Sequence, residues 1–450
     1  MKKHFLSGLL SSFLMLFAQM AYAQTWTNVG VPGFSAGSIQ GIALAIDHAN
    51  TPYVVFTDSI NSGKATVMEF NGTNWVVVGS PGFTAGQATF VSIAIDGAGT
   101  PYVAYEDVAN GSKASVMKFN GTAWANVGSA GFTAFNAEYI SIAIDRSNTP
   151  YVGYSSGLAG VMKFDGTNWD TVGASGFSPG NTQYNNIAID SSGTPYMIFE
   201  DQTSMLKATV MKYNGTSWVT VGSPGFSTVA QTQYTAIAID RSGTPYAAYT
   251  DGYEGAATVK KFDGTSWVLV GAPAANSDWT NIAIDSFGTP YLSYCDVLNG
   301  HKSTALKFNG TAWDTLGVAG CSVGWVWSVS LALDGSGNPY LAYGDVANSD
   351  GATVLKFAPA ITGIKNITGP AAASMSLSPN PCSGACSVLI TSTQDENVAV
   401  IVTNIMGEKI MDTKIRSNTE TTLQLPVPPG LYILSAVTKD DKLISKIVVE

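Results

Sequence analysis

The chain has 450 residues, a net charge of −10 and only 12% charged residues. The negative balance argues against nucleic acid as a partner, because phosphate binding needs a surface rich in lysine and arginine. Only three histidines are present, which argues against a Ser-His-Asp triad and against a metal site built from several histidines. The sequence therefore predicts no catalytic residue, no metal site and no cofactor.

The first element is a targeting segment. Two lysines at positions 2 and 3 precede an apolar stretch, and an Ala-Tyr-Ala motif ends at Ala23. This pattern predicts a signal peptide over residues 1–23, cleaved between Ala23 and Gln24. An uncleaved membrane anchor is the alternative, but the apolar stretch is short for that role. No later segment reaches the length of a transmembrane helix.

Three phrases then recur seven times with a period of about 45 to 50 residues, which is typical of one propeller blade per repeat. The first is Ile-Ala-Ile-Asp or a close variant, ending at Asp47, Asp96, Asp145, Asp190, Asp240, Asp285 and Asp334. A Pro-Tyr pair follows each of these aspartates. The third is Trp-x-x-Val/Leu-Gly, led by Trp26, Trp75, Trp124, Trp169, Trp218, Trp267 and Trp313.

Each repeat is expected to form four strands, with an Asn-Gly or Asp-Gly hairpin turn between the third and the fourth. The chain opens on a lone fourth strand at Trp26, and the last repeat ends on a third strand at Phe357. The sequence therefore predicts an all-β, seven-bladed β-propeller over residues 24–357, closed by the N-terminal strand.

Residues 237–246, Ile-Ala-Ile-Asp-Arg-Ser-Gly-Thr-Pro-Tyr, are followed by a strand ending in Lys-Phe. This unit resembles the NHL-type propeller repeat, and the resemblance extends from Gln24 to Phe357. It implies that the strands of a blade run from the inner to the outer edge in chain order. The Trp-led fourth strand and the Gly-Phe loops depart from that family, and the resemblance implies nothing about a ligand.

After a predicted linker over residues 358–373, residues 374–450 form a second β pattern. Its landmarks are Ser-Pro-Asn-Pro at 378–381, Asn-Ile-Met-Gly-Glu-Lys at 404–409 and Pro-Gly-Leu-Tyr at 429–432. Their order and terminal position are similar to the C-terminal sorting domain of the type IX secretion system. The resemblance implies a small β-sandwich, the type IX secretion machinery as a partner, and a secreted or outer-cell-surface protein. An unrelated small β-sandwich is the alternative.

The loops that enter strand one and those that leave strand two are expected to share one face of the propeller. An aromatic residue stands six positions before the recurring aspartate in five repeats: Phe90, Tyr139, Tyr184, Tyr234 and Trp279. Repeat one has Gly41 there, and repeat seven has Trp327 one residue off, near Trp325. All seven aromatics are candidate ligand-binding residues. Packing between blades is the alternative, favoured for the repeated rings, and ligand contact is favoured for Trp279, Trp325 and Trp327.

Carboxylates recur on the same face, where an aspartate ends strand two in six repeats. Paired carboxylates could serve glycoside hydrolysis or bind calcium. A sixfold recurrence instead favours capping of the following turn, which every blade needs. Glu138 and Asp278, each beside a loop aromatic, come nearest to a carboxylate that is special to one blade.

The four cysteines are expected to form disulfides in an exported protein. Cys295 ends a second strand, and Cys321 lies in the adjoining loop, where repeats six and seven lose the Gly-Phe phrase of the others. A Cys295–Cys321 bond is predicted, together with a local Cys382–Cys386 bond.

Three functions remain open from the sequence. The favoured one is a non-enzymatic binding module with a glycan or protein ligand at the loop face of blades six and seven. The alternatives are a secreted glycoside hydrolase or lyase that uses carboxylates in the central funnel, and a structural surface protein.

Overall fold

The structure is a computed structural model that describes residues 24–274, 276–359, 373–404, 409–438 and 442–449. The predicted signal peptide, with Ala23, and most of the predicted linker lie outside the described residues. The described chain forms two compact units, one with the strands up to residue 359 and one with the strands from residue 373. Within these ranges, no helix combines the length and the apolar character needed to cross a membrane.

The first unit consists of seven four-stranded antiparallel sheets, the blades. In chain order its strands are β1 (Gln24–Asn28), β2 (Ile39–Ile46), β3 (Pro52–Asp58), β4 (Lys64–Phe70), β5 (Trp75–Val77), β6 (Ala88–Ile95), β7 (Pro101–Asp107), β8 (Lys113–Phe119), β9 (Trp124–Asn126), β10 (Glu138–Ile144), β11 (Pro150–Ser156), β12 (Leu158–Phe164), β13 (Trp169–Thr171), β14 (Thr182–Ile189), β15 (Pro195–Asp201), β16 (Lys207–Tyr213), β17 (Trp218–Thr220), β18 (Gln233–Ile239), β19 (Pro245–Asp251), β20 (Ala256–Phe262), β21 (Trp267–Leu269), β22 (Ser277–Ile284), β23 (Pro290–Asp296), β24 (Lys302–Phe308), β25 (Trp313–Thr315), β26 (Val326–Leu333), β27 (Pro339–Asp345) and β28 (Gly351–Pro359). Short 3-10 helices follow the second strand in four blades, at Val108–Asn110, Gln202–Ser204, Val297–Asn299 and Val346–Asn348.

The first strand of each blade contacts the first strands of its two neighbours. The series starts with the contact of β2 with β6 and ends with the contact of β26 with β2, which closes the ring. First strands are therefore innermost, and the remaining strands follow outward in chain order. Blade 7 takes its outer strand from the start of the repeat region, since β1 pairs with β28 and places Trp26 opposite Phe357. The sequence predicts both this strand order and this pairing.

The aspartates that follow the first strands cap turns. In every blade one carboxylate oxygen accepts hydrogen bonds of 2.8–3.0 Å from the backbone N–H groups two and four residues later. The aspartates that end the second strands are also structural. Five of them accept a hydrogen bond from a strand-three hydroxyl eight residues later: Asp58, Asp107, Asp201, Asp296 and Asp345. Asp251 instead accepts from the N–H of Val229.

The tryptophans of the outer strands join neighbouring blades. Each indole N–H donates to a main-chain carbonyl of the preceding blade at 2.6–2.8 Å, and Trp26 completes the set by donating to Leu316. In blades 1 to 5 the phenylalanine of the Gly-Phe phrase stacks on this tryptophan at 3.9–4.4 Å. Ala274 and Cys321 take the place of that phenylalanine in blades 6 and 7.

The glycine that ends each Trp-led phrase makes this contact possible, as Gly222 illustrates. Gly222 has φ +70°, and an added Cβ would lie 2.9 Å from Phe262 and 3.1 Å from Trp267 of the next blade. We expect Gly222→Ala to lower the free energy of unfolding by about 2 to 3 kcal/mol, through backbone strain and overpacking together. Gly215→Ala is the matched control, because Gly215 has φ +97° but open space around the added Cβ. Urea unfolding of the two variants checks this, and equal losses would contradict the packing role.

The second unit contains two sheets. One is built from β29 (Ala373–Ser378), β30 (Ala385–Ser392) and β33 (Thr421–Gln424), and the other from β31 (Asn397–Asn404), β32 (Lys409–Arg416), β34 (Gly430–Val437) and β35 (Lys442–Val449). Both sheets contribute to one core, with Val388 and Ile390 from the first and Val400, Leu434 and Ile447 from the second. Two sheets around one core agree with the predicted small β-sandwich.

All four cysteines carry free thiols in the structure. The Cys295–Cys321 disulfide stays a prediction, and in the structure the two thiols have different hydrogen-bond partners. The thiol of Cys295 donates to the carbonyl of Val326 on the inner strand of blade 7 at 3.6 Å, whereas Cys321 donates to the carbonyl of Ser303 at 3.1 Å. Burial raises the pKa of both thiols to about 12. Cys382 and Cys386 contact each other through their thiols, and a bond between them stays a prediction.

Candidate functional site

The candidate site lies at the mouth of the propeller, where the first strands begin. Near this end, the pairing of every first strand with its second strand shifts register at a β-bulge. Each bulge holds one residue with positive φ: Gly41 at 71°, Phe90 at 46°, Tyr139 at 50°, Tyr184 at 51°, Tyr234 at 49°, Trp279 at 49° and Ser328 at 54°. A side chain in this region costs about 1 to 2 kcal/mol. Five blades nevertheless place an aromatic residue there, and such local strain is typical of functional sites.

The five rings form a continuous series around the mouth, which we call the aromatic arc. Neighbouring ring centroids are 5.0 Å apart for Phe90 and Tyr139, 5.3 Å for Tyr139 and Tyr184, 5.1 Å for Tyr184 and Tyr234, and 5.4 Å for Tyr234 and Trp279. All four pairs are tilted, by 41° to 56°. The arc thus runs from blade 2 to blade 6 and is open at blades 7 and 1. The rings make the predicted contacts between blades while also facing the cavity described next.

Inside the arc lies a cavity of about 430 Å³ that residues from all seven blades line. The residue after each bulge position also lines the cavity: Ile42, Val91, Ile140, Asn185, Thr235, Thr280 and Val329. The lining consists of aromatic, aliphatic, hydroxyl and amide groups. A cavity of this size and composition is typical of small-molecule sites, which combine an apolar lining with a few placed polar groups.

Of the three tryptophans favoured as ligand contacts, Trp279 lies in the arc and the other two lie outside the mouth cavity. Trp327 packs so closely over Gly344 that an added Cβ there would lie 2.4 Å from its ring, and its N–H donates to Asp350 at 3.2 Å. Trp325 is 51% exposed, with its ring 5.5 Å from that of His301. The arc therefore centres on blades 2 to 6, and ligand contact by Trp325 and Trp327 stays a prediction.

Carboxylates lie near the arc, Glu106 and Glu200 on second strands and Asp278 next to Trp279 on β22. Glu106 accepts a hydrogen bond from the hydroxyl of Thr89. Glu200 is only 4% exposed, and burial raises its pKa to about 7. Its charge is close enough to Tyr139 and Tyr184 to raise their pKa values as well, although burial is the larger cause there. Burial, followed by the charge of Glu254, also raises the pKa of Asp278.

Sequence reasoning identified the arc but missed Asn185 and Glu200 as special residues. Asn185 is 7% exposed, and within the described part of the chain neither atom of its amide has a hydrogen-bond partner. Glu200 directly precedes Asp201, one of the aspartates that end the second strands. Asn185 departs from its equivalents in the other blades, which are aliphatic residues or threonine, and that departure was the available signal. Glu200 shares its residue type with Glu106 at the equivalent position of blade 2.

Comparisons with known proteins identify the C-terminal unit. Residues 376–450 match the secretion system C-terminal sorting domain. The chain is therefore a type IX secretion substrate, secreted or held at the cell surface. No curated protein matches the chain in sequence.

Several solved structures are similar to the propeller. The Aleuria aurantia lectin in complex with a fucose-containing disaccharide is 15% identical, with a TM-score of 0.45, over 66% of this chain and 100% of that one. A polysaccharide lyase, an ulvan lyase bound to its saccharide, is 11% identical, with a TM-score of 0.48, over 72% and 94%. A protein of unknown function from Dyadobacter fermentans is 12% identical, with a TM-score of 0.42, over 60% and 94%. At these identities the likeness concerns the fold and not the ligand. The resemblance to the NHL-type repeat stays a prediction.

Proposed function

We propose that the exported propeller is a non-enzymatic glycan-binding module, and that the ligand is held in the mouth cavity against the aromatic arc. The observation that carries the proposal is the arc itself, five rings on five consecutive blades at strained backbone positions. Aromatic rings offer large, rigid apolar faces, and the tyrosine hydroxyls add hydrogen-bonding groups. The apolar face and polar edge of a sugar ring complement both features.

The size and chemistry of the cavity favour a small saccharide over a folded protein partner. A concave volume of about 430 Å³ holds a small ligand, whereas a stable protein interface buries a broad surface. The uncharged lining suits a neutral sugar. The aspartates that recur in the blades are occupied as turn caps, which supports binding over a hydrolase that uses them.

Replacing Tyr184 with glycine tests this proposal. Glycine adopts positive φ without strain, as Gly41 does at the same position of blade 1, so we expect stability to be retained or raised slightly. Loss of one stacking face should weaken binding by about tenfold, as several interactions of about 0.5 to 1.5 kcal/mol are removed together. A glycan array followed by titration calorimetry measures this.

Phe135→Gly is the control, because Phe135 is 72% exposed and lies outside the cavity lining. Glycan binding that survives both Tyr184→Gly and Tyr234→Gly would contradict the assignment of the site. Release of reducing ends from a bound polysaccharide would support the hydrolase alternative over a binding module. Release of unsaturated products would support the lyase alternative.

A further inference from the structure

The mouth face of the propeller carries a ring of exposed apolar side chains outside the cavity. Second strands run antiparallel to first strands, so the connections that leave them lie on the same face as the mouth. Each of these seven connections has one exposed apolar residue in it or directly beside it. We call this set the apolar crown: Ile60, Val108, Leu158, Met205, Tyr253, Leu298 and Val346. Among the described residues, the turns of the opposite face expose one large apolar side chain, Phe287.

The requirements of the fold do not account for the crown. Its members are of five residue types and stand at different distances from the end of strand two, as Val108 and Met205 show. They therefore do not repeat one packing contact in every blade, unlike the recurring aspartates. Met205, Tyr253 and Leu298 are 71%, 72% and 69% exposed. Each forgoes about 25 cal/mol for every Å² that burial would remove from water, and such a concentration on one face is typical of an interaction surface.

Lysines stand behind the crown in four blades. The connections in blades 1, 2, 4 and 6 each end on a lysine that opens strand three: Lys64, Lys113, Lys207 and Lys302. All four are half-buried, and none forms an ion pair within the described part of the chain. The stem of Lys302 lies along the next loop, since a Cβ added at Gly320 would be 3.3 Å from its Cβ and Cδ. An apolar tip with an ammonium group behind it matches the layers of a lipid–water interface, where acyl chains lie beneath phosphates.

We propose that the apolar crown docks the propeller on a phospholipid surface, with the loop tips among the acyl chains and the four lysines at the lipid phosphates. The crown residues lie on seven separate connections and not in one continuous patch. A fluid bilayer accepts separate tips, whereas a protein partner needs a closely complementary surface. The chain is secreted or held at the cell surface, where a lipid leaflet is within reach. Docking in this orientation turns the mouth cavity towards the bilayer, and thus towards any sugar headgroup that the bilayer carries.

A crown variant tests the proposal with three substitutions at exposed positions: Met205→Ser, Tyr253→Ser and Leu298→Ser. The probe is a vesicle of phosphatidylcholine and phosphatidylglycerol that contains no sugar. We expect the unchanged exported chain to sediment with these vesicles, and the crown variant to bind them at least about tenfold more weakly, because three apolar side chains no longer insert.

The matched control variant carries three substitutions at exposed apolar positions on the outer edge and the opposite face: Val77→Ser, Leu269→Ser and Phe287→Ser. Its vesicle binding should equal that of the unchanged chain. All six side chains are exposed, so neither variant should lose more than about 0.5 kcal/mol of stability for each substitution, which urea unfolding measures.

The lysines give the docking a charge dependence. Lys207→Gln and Lys302→Gln should each weaken binding to the phosphatidylglycerol-containing vesicles by about fivefold, and binding to vesicles of phosphatidylcholine alone by less than about twofold. A nitrobenzoxadiazole dye on Met205→Cys should shift its emission to the blue when vesicles are added, because the tip enters an apolar layer. The same dye on Phe287→Cys should show no shift.

Three outcomes would overturn the proposal: no binding to vesicles of either composition, equal losses in the crown and control variants, or a blue shift for the dye on Phe287→Cys. A dimer that forms in light scattering without vesicle binding, and that the crown variant abolishes, would assign the crown to a second copy of the chain. Because the vesicles contain no sugar, none of these results depends on the mouth cavity. Loss of glycan binding in Tyr184→Gly would support the proposed function whether or not the crown binds lipid.

Discussion

Replacing Trp26 with alanine is expected to lower the free energy of unfolding of the propeller by about 3 to 4 kcal/mol. The indole ring lies 5.1 Å from the ring of Phe357, and its N–H donates to the carbonyl of Leu316 at 2.8 Å. The substitution removes this packing and leaves a carbonyl without its donor, which adds to the loss. It also weakens the attachment of β1, whose departure would expose the edge of β28. Urea-induced unfolding followed by tryptophan fluorescence measures the change.

Thr25→Ala is the control for this prediction. Thr25 lies in the same strand, is exposed, and should change stability by no more than about 0.5 kcal/mol. If Trp26→Ala were as mild as Thr25→Ala, the pairing of β1 with β28 would contribute little to stability. The closure of the ring at blade 7 would then be stabilised mainly by the contact of β26 with β2.

The fold was predictable from the sequence because each blade repeats the same structural requirements. Asp240 and Pro245 bound a turn in which the aspartate side chain accepts hydrogen bonds from the turn's own N–H groups. Asn214-Gly215 marks a hairpin turn. The repeat region opens on a fourth strand and closes on a third, which predicts that the first strand completes the seventh blade, as the pairing of β1 with β28 shows. The roles of these residues are local or involve the neighbouring blade, so a periodic sequence is enough to reveal them.

The candidate site was predictable only in part, because it depends on departures from the repeat. The five aromatics of the arc share one sequence position, and the sequence places them on one face. Trp327 shows the limit of this reasoning, since a shift of one residue along a strand turns a side chain to the other face. It therefore packs over Gly344 and not into the cavity. The burial and unpaired state of Asn185 depend on neighbouring blades and could not be read from its own repeat.

Glu200 occupies a position where other blades use a hydrogen-bond donor to reach the next blade. Thr57, Ser155 and Cys295 stand there and donate to main-chain carbonyls of the following blade. An ionised carboxylate can only accept, so it cannot make this bond, whereas a protonated carboxyl can. This explains in chemical terms why a neutral Glu200 suits the folded state, in line with a pKa that burial raises to about 7.

A pKa raised on folding makes stability depend on pH. The folded protein keeps the Glu200 proton to about pH 7, whereas the unfolded chain releases it near pH 4.3. The stabilisation linked to this proton is complete below about pH 4, and about 3 kcal/mol is lost as the pH rises from there to 7. Glutamine keeps a neutral donor at all pH values. We therefore expect Glu200→Gln to match the unchanged protein at pH 4 and to be more stable by up to about 3 kcal/mol at pH 8.

The difference in unfolding free energy between variant and unchanged protein, measured by urea unfolding from pH 4 to 8, isolates this effect because other titrating groups cancel. Glu106→Gln is the matched control, since Glu106 holds the equivalent position in blade 2 and accepts a hydrogen bond from the hydroxyl of Thr89. Loss of that charge-assisted hydrogen bond should destabilise the propeller at pH 8, a change of opposite sign. A difference for Glu200→Gln that stays constant across the pH range would mean that this carboxyl is not a buried acid. Its place beside Tyr139 and Tyr184 would then indicate a solvated carboxylate at the mouth, open to a ligand.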